Sequence, residues 1–113
     1  MKVLNQTRDA ILAERAALAA TRKARKTGLL RHDRLPDGEG LVIAPCGGIH
    51  TFGMKFAIDA VFYDRSLKVR KIRRAMPKSR ICFSILSKGV IELPAGVVET
   101  TGTQVGDQRR FDQ

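Results

Sequence analysis

Glycine and proline punctuate this chain so often that no long regular element has room to form. Ten Gly and four Pro are spread over 113 residues, and most stand between short apolar runs. Gly reaches backbone conformations closed to other residues, and Pro removes an N–H, so both end elements. Short runs rich in Val, Ile, Phe and Tyr between such breaks read as strands. The spacing points to a mainly β chain, a compact antiparallel β-barrel or sandwich with one or two short helices. Residues 1–113 are expected to form a single domain, large enough to bury a core without staples. Apolar residues make up 43% of the chain, which is a globular composition. Trp is absent, so Ile, Leu, Val and the five Phe must fill that core.

Strands are expected at Leu41–Ala44, Ile49–Phe52, Ile58–Tyr63, Leu67–Ala75, Gly89–Leu93 and Gln108–Phe111. Asp64-Arg65-Ser66 closes a hairpin between the third and fourth. Within Leu67–Ala75, Leu67 and Val69 share one face while Ile72 falls on the other. That parity break predicts a bulge or strong twist near Arg70 or Lys71. Pro94-Ala95-Gly96 leads into a short turn or helical segment, Val97–Thr101, with Gly102 placed to end it. Thr21 is a suitable N-cap for a short helix running to Leu30. The first twenty residues leave two options. Ala10–Ala20 is Ala-rich, which favours helix. Asn5–Asp9 is a turn-like polar cluster between two apolar patches, which fits a hairpin.

The chain carries 21 Lys and Arg against 11 Asp and Glu, a formal net charge of +10. Eight of those cations lie between Arg65 and Arg80, where there is no acid; Arg22, Lys23, Arg25, Lys26, Arg31 and Arg34 form a second cluster. Such an excess favours anionic partners by long-range attraction. The strand Lys68–Arg74 has the charge to grip phosphates. It lacks interleaved aromatics for base stacking, and it equally fits an edge strand protected by charge. No apolar run approaches the ~20 residues of a membrane helix, so no membrane span is expected. Asp9, Glu14 and Arg15 interrupt any N-terminal signal core, and a cytoplasmic location is expected. Cys46 and Cys82 then read as reduced, semi-buried thiols.

Chemistry concentrates in Cys46–Asp64, CGGIHTFGMKFAIDAVFYD. His50 stands between Ile49 and Phe52 in a run expected to be half buried, as a core histidine, a base or a ligand. Cys46 precedes it by four residues, but no second Cys/His pair follows, so no metal site is expected. Asp59 shares a strand face with Val61 and Tyr63; Ile58, Ala60 and Phe62 share the other. Both faces are apolar, so Asp59 must be buried and paired. Glu92 repeats the pattern in Val90-Ile91-Glu92-Leu93. Two such carboxylates suit an acid/base pair or a metal site, or they hold loops by accepting backbone N–H bonds or meeting Lys55 or Arg31. Neither Gly-rich segment has the spacing or Lys of a phosphate loop, and there is no nucleophile elbow. No cofactor is expected.

Three segments carry a family resemblance: Gly28-Leu29-Leu30-Arg31; Phe52-Gly53-Met54-Lys55 with Ile58-Asp59; and Ile91–Gly96 followed by Gly102–Asp107. Over roughly Leu4 to Phe111 the chain resembles the family called domain of unknown function 192. Many relatives carry Trp at Gly53 and Pro at Ala57. The resemblance implies strands in the N-terminal third, and it implies no established activity. The function is therefore unknown, and the favoured reading is a small binding or accessory domain with a recess for a small polar or anionic ligand. Arg31, His50, Met54, Lys55, Asp59 and Glu92 are its candidate ligand-binding residues. One alternative is a hydrolase-type enzyme using His50 with Asp59 or Glu92 as candidate catalytic residues, which requires them within hydrogen-bond reach in one cleft. Another is a weak, non-specific nucleic-acid-binding module, which requires the two basic clusters on one continuous face.

Overall fold

The computed structural model describes residues 1–30 and 32–112. The described residues form β1 (Lys2–Asn5), β2 (Ala10–Ala13), β3 (Arg15–Ala19), α1 (Arg22–Thr27), β4 (Glu39–Ile43) and β5 (Gly48–His50). They continue with β6 (Ile58–Tyr63), β7 (Val69–Met76), β8 (Ile81–Phe83), β9 (Gly89–Pro94), α2 (Val97–Thr101) and β10 (Arg109–Asp112). The protein is mainly β, as the turn spacing predicts.

A five-stranded sheet, in the order β3-β4-β9-β6-β7, runs through the middle. Every residue of β6 and β9 is buried, which is why IDAVFY and GVIELP read as nearly continuous apolar runs rather than alternating ones. Alternation divides the core in two. Leu41, Ile43, Ala60, Phe62 and Val90 pack on one face with Leu29, Ile49, Met54 and Cys82. Val42, Val61, Tyr63, Ile91 and Leu93 pack on the other with Val3, Leu12, Ala13 and Val98. The two-stranded β5-β8 ribbon and α1 cover the first face; the β10-β1-β2 sheet and α2 cover the second.

The barrel alternative is not realised. The central sheet keeps β3 and β7 as separate edges, and the smaller sheets lie on its faces instead of joining those edges. The result is sandwich-like. The antiparallel expectation also has one exception, because β3 pairs with β4 in parallel.

Local signals explain the elements. Asn5 Oδ1 accepts the Arg8 N–H at 3.1 Å, and Asp9 adopts φ 52°, so the polar cluster turns the chain and β1 pairs with β2. Tertiary pairing overrides the helix propensity of the Ala-rich stretch. Thr21 caps α1 by accepting the Ala24 N–H, and Gly102, at φ 69°, ends α2. The predicted bulge is present: Phe62 pairs with Lys71 and Tyr63 with Val69, so Arg70 is left over. The extra residue lets Val69 and Ile72 pack against the same core. Strand β8 was not expected from sequence.

Candidate functional site

Asp59 and Glu92 lie on paired strands one residue out of step. Asp59 pairs with Leu93, and Ala60 with Glu92. Adjacent positions on a strand point to opposite faces, so the two carboxylates enter different cores.

Asp59 is buried and its two oxygens are fully engaged by main chain. Oδ1 accepts the Ala75 N–H at 2.7 Å, and Oδ2 accepts the Gly96 and Val98 N–H groups at 3.1 and 2.9 Å. Ala75 sits at φ 44° in the irregular end of β7. Gly96 and Val98 belong to the first turn of α2, whose N-cap supplies no side-chain acceptor of its own. Asp59 therefore fastens the β7 end and the α2 start to β6. Both of its oxygens are engaged by those donors, and it is not part of the recess below.

Glu92 has the opposite surroundings. It is 3% exposed, and no hydrogen bond or ion pair reaches its carboxyl group among the described residues. Burial pushes its pKa up to about 7, because the charged form loses its water. It lines a recess of about 40 Å³ with Arg25, Lys26, Gly28, His50 and Met54. The Gly28 turn, at φ 50°, crosses over the carboxylate. A Cβ at Gly28 would lie 3.9 Å from Glu92 Oε1.

The recess forms where the helix-ending Gly28–Leu30 turn, the His50–Met54 segment and β9 meet. Met54 is buried in its wall. His50 is exposed rather than half buried, because it ends β5 on the outer side of the ribbon, 5.7 Å from the Phe52 ring. Lys55 is not in the recess. Its Nζ pairs with Asp33 Oδ1 at 2.7 Å on the open surface, and that contact lowers the pKa of the Asp33 carboxyl. Arg31 lies outside the described residues. The structure thus gathers His50, Met54 and Glu92 and leaves Lys55 and Asp59 elsewhere.

Sequence reasoning assigned no role to Arg109. It is 2% exposed, stacked with its Cζ 3.7 Å from the Tyr63 ring centroid and 3.3 Å from that of Phe111. Its Nε and Nη1 have no hydrogen-bond partner among the described residues, and burial pulls its pKa down to about 10. The only hint was its place in a short terminal strand. Asp107 is tied to Asn5, Arg8 and the Gln104 N–H, which fixes the last turn to β1. A wider open hollow of about 750 Å³ is bounded by Pro45, Cys46, Asp64, Arg65, Leu86 and Lys88. Burial raises the pKa of the Cys46 thiol, and its Sγ donates to the Gly48 carbonyl at 3.0 Å. It is therefore a poor nucleophile. The described residues hold no group of three or more His, Cys, Asp or Glu able to share a metal.

Residues 3–111 match the family DUF192, described as "Uncharacterized ACR". Over 60 residues the chain is 35% identical to a UPF0127 protein of Thermococcus sibiricus (strain DSM 12597 / MM 739). That match covers 53% of this chain and 39% of the relative, well under half of the relative's length. Two crystal structures share the fold. A protein of unknown function from Novosphingobium aromaticivorans DSM 12444 superposes with a TM-score of 0.84 at 19% identity, over 97% of this chain and 82% of that one. A candidate transcription regulator from Sinorhizobium meliloti 1021 superposes with a TM-score of 0.83 at 18% identity, over 96% and 89%.

Proposed function

The chain belongs to the DUF192 family, a family of unknown function, and on that premise we propose that it is a small binding domain whose ligand enters the Glu92 recess. The observation that carries this reading is the buried Glu92 carboxyl group, to which no described residue donates a hydrogen bond. Burying such a group costs stability, and a ligand that supplies a hydrogen-bond partner recovers part of that cost. With a pKa of about 7, Glu92 both donates and accepts near neutrality. Arg25 and Lys26 at the rim favour an anionic part of the same molecule. A volume of about 40 Å³ admits a hydroxyl- or amino-sized end, since one water occupies ≈ 30 Å³ of liquid. The ligand class is therefore a small hydroxylated or amino-bearing anion, one end inserted and the anion held at the rim. A cytoplasmic setting belongs to the same reading, supported by two unbridged thiols.

The hydrolase alternative narrows to His50 with Glu92, because Asp59 faces the other core. His50 and Glu92 share the recess, but no hydrogen bond joins them. The nucleic-acid alternative rests on charge. Its two clusters start from opposite edges of the central sheet, α1 following β3 and the other lying on β7. Four inter-strand spacings separate those edges, roughly 19 Å. The fold shared with the Sinorhizobium protein at 18% identity adds nothing to that reading.

A thermal-shift screen of small hydroxy acids, amino acids and sugar acids tests the proposal. Ligands that stabilise the wild-type chain should lose their effect in Glu92→Gln and weaken in Arg25→Gln, with both variants folded. Stabilisation undiminished in Glu92→Gln, or no stabilisation by any of these classes at pH 6 to 8 (about the range around the Glu92 midpoint), would reject it.

A further inference from the structure

We propose that the outer face of the β5–β8 ribbon, with the Ile85–Leu86 turn at its tip, docks the protein onto a lipid bilayer bearing anionic headgroups. The ribbon pairs Gly48 with Phe83, Ile49 with Cys82 and His50 with Ile81. Ile49 and Cys82 point into the core, so Phe83, Ile81 and His50 point outward. The Phe83 ring lies across Gly48, where any Cβ would come within 2.6 Å of it. Phe52 continues this face beside His50. Beyond Phe83 the chain turns, and Ile85 and Leu86 are 85% and 78% exposed.

The turn is held in place. The Ser87 N–H donates to the Ser84 carbonyl at 3.2 Å, the Ser84 N–H donates to the Gly47 carbonyl at 3.0 Å, and the two serine hydroxyls bond each other. Leu86 adopts φ 69°, a conformation that favours glycine. An apolar side chain is thus kept in a disfavoured backbone conformation and in water at once. Neither cost benefits the core, and backbone strain of this kind accumulates where it serves a function.

Charge surrounds the apolar tip. The segment Arg65–Ile91 holds nine Lys and Arg and no Asp or Glu. Lys71 and Arg73 pair with Phe62 and Ala60, so they stand on the sheet face that the ribbon covers. Lys71 Nζ donates to the Phe83 carbonyl at 2.6 Å and ties that strand to the ribbon. Arg80 precedes Ile81, and Lys88 follows the turn. An aliphatic tip among cations gains from the acyl boundary and from anionic headgroups together. A second copy seated on this face by two-fold symmetry would set cations against cations. The aliphatic Ile85 and Leu86 offer nucleic acid no ring to stack on.

Sedimentation of the full chain with lipid vesicles tests the proposal. One set is phosphatidylcholine alone; the other adds phosphatidylglycerol. Binding is expected only to the second set. Ile85→Ser with Leu86→Gly should lower partitioning about tenfold or more. Its melting temperature should hold or rise, because Gly fits the positive φ. Arg73→Gln with Lys88→Gln should lower partitioning by about 25-fold at low salt, at about fivefold per cation. These variants leave Glu92 intact, so their outcome is independent of the recess. Three results would overturn the proposal: no binding to the anionic vesicles, full binding by the Ile85/Leu86 variant, or loss in that variant of a dimer or of duplex-DNA binding while vesicle binding persists.

Discussion

Replacing Asp59 with Ala should destabilise the fold by about 3 kcal/mol. The substitution removes one carboxylate and strands three main-chain donors, the N–H groups of Ala75, Gly96 and Val98. The Val98 bond is fully buried, and a donor left unpaired there costs about 1–3 kcal/mol. The other two are partly buried, so water recovers much of their loss and about 0.5 kcal/mol each remains. Losing the acceptor at the start of α2 resembles losing an N-cap, itself worth about 1 kcal/mol; that overlaps the Val98 cost and is not added to it in full. For a chain of this length the unfolding entropy is about 0.24 kcal/mol/K, so the melting temperature should fall by about 12 °C. Asp59→Asn keeps one acceptor oxygen and should fall roughly half as far. Circular dichroism melts and urea titrations of both variants measure this. A melting temperature within about 2 °C of wild type for Asp59→Ala would refute the account of Asp59 as the clamp between β6, β7 and α2.

Glu92 should make stability fall as pH rises. Its folded pKa, about 7, lies above its ordinary value of 4.5, so the native state holds the proton more tightly than the unfolded chain. Stabilisation is complete below pH 4.5 and lost as pH rises to about 7, a change of about 3 kcal/mol. The difference between wild type and Glu92→Gln in urea titrations across that window isolates it; a constant difference would contradict the burial. Gly89→Ala should destabilise by about 2 kcal/mol or more, because its Cβ would press against Tyr63 Oη and lie 2.9 Å from the Ile43 carbonyl oxygen. An unchanged urea midpoint would show that Tyr63 moves freely. Arg109→Met should be neutral or stabilising by about 1 kcal/mol, since the guanidinium has no ionic partner among the described residues, whereas Arg109→Ala should cost about 3 kcal/mol through the cavity it leaves. Equal losses in the two variants would mean that the stacked charge itself holds Tyr63 and Phe111 together.

What could be read from the sequence was whatever depends on neighbours along the chain. The run IDAVFY has to be a strand buried on both faces, and its lone Asp has to be paired. The switch of face between Val69 and Ile72 requires an extra residue, and Arg70 is that residue. Gly102 ends α2 for the same local reason. The β8 strand escaped notice because its apolar residues Ile81 and Phe83 face water while Cys82 fills the core. Hydrophobic patterning assigns apolar side chains inward, so it misreads a ribbon that presents them outward. The site was half legible for a related reason. Polar interruptions of apolar strands marked His50, Asp59 and Glu92, but which of them meet depends on the register between β6 and β9, and a single sequence does not contain that register. Lys55 was drawn toward the site by proximity in sequence, whereas in space Asp33 holds it outside.

The one-residue offset between Asp59 and Glu92 decides where stability and recognition sit in this fold. Had both carboxylates shared one face, two buried acids would have competed for the same donors, and one of them would have stayed protonated. The register instead sends Asp59 to the side where α2 begins and β7 bends, and where three main-chain N–H groups donate to it. It sends Glu92 to the side walled by Leu41, Ile43, Met54 and Phe62, where none of the described residues donates to it. The first arrangement is complete and has nothing to offer a ligand. The second is incomplete, opens toward the cations of α1, and is sensitive to pH near neutrality. Substitution at Asp59 should therefore change the fold's stability whatever is bound, while substitution at Glu92 should change what is bound in a fold that remains intact.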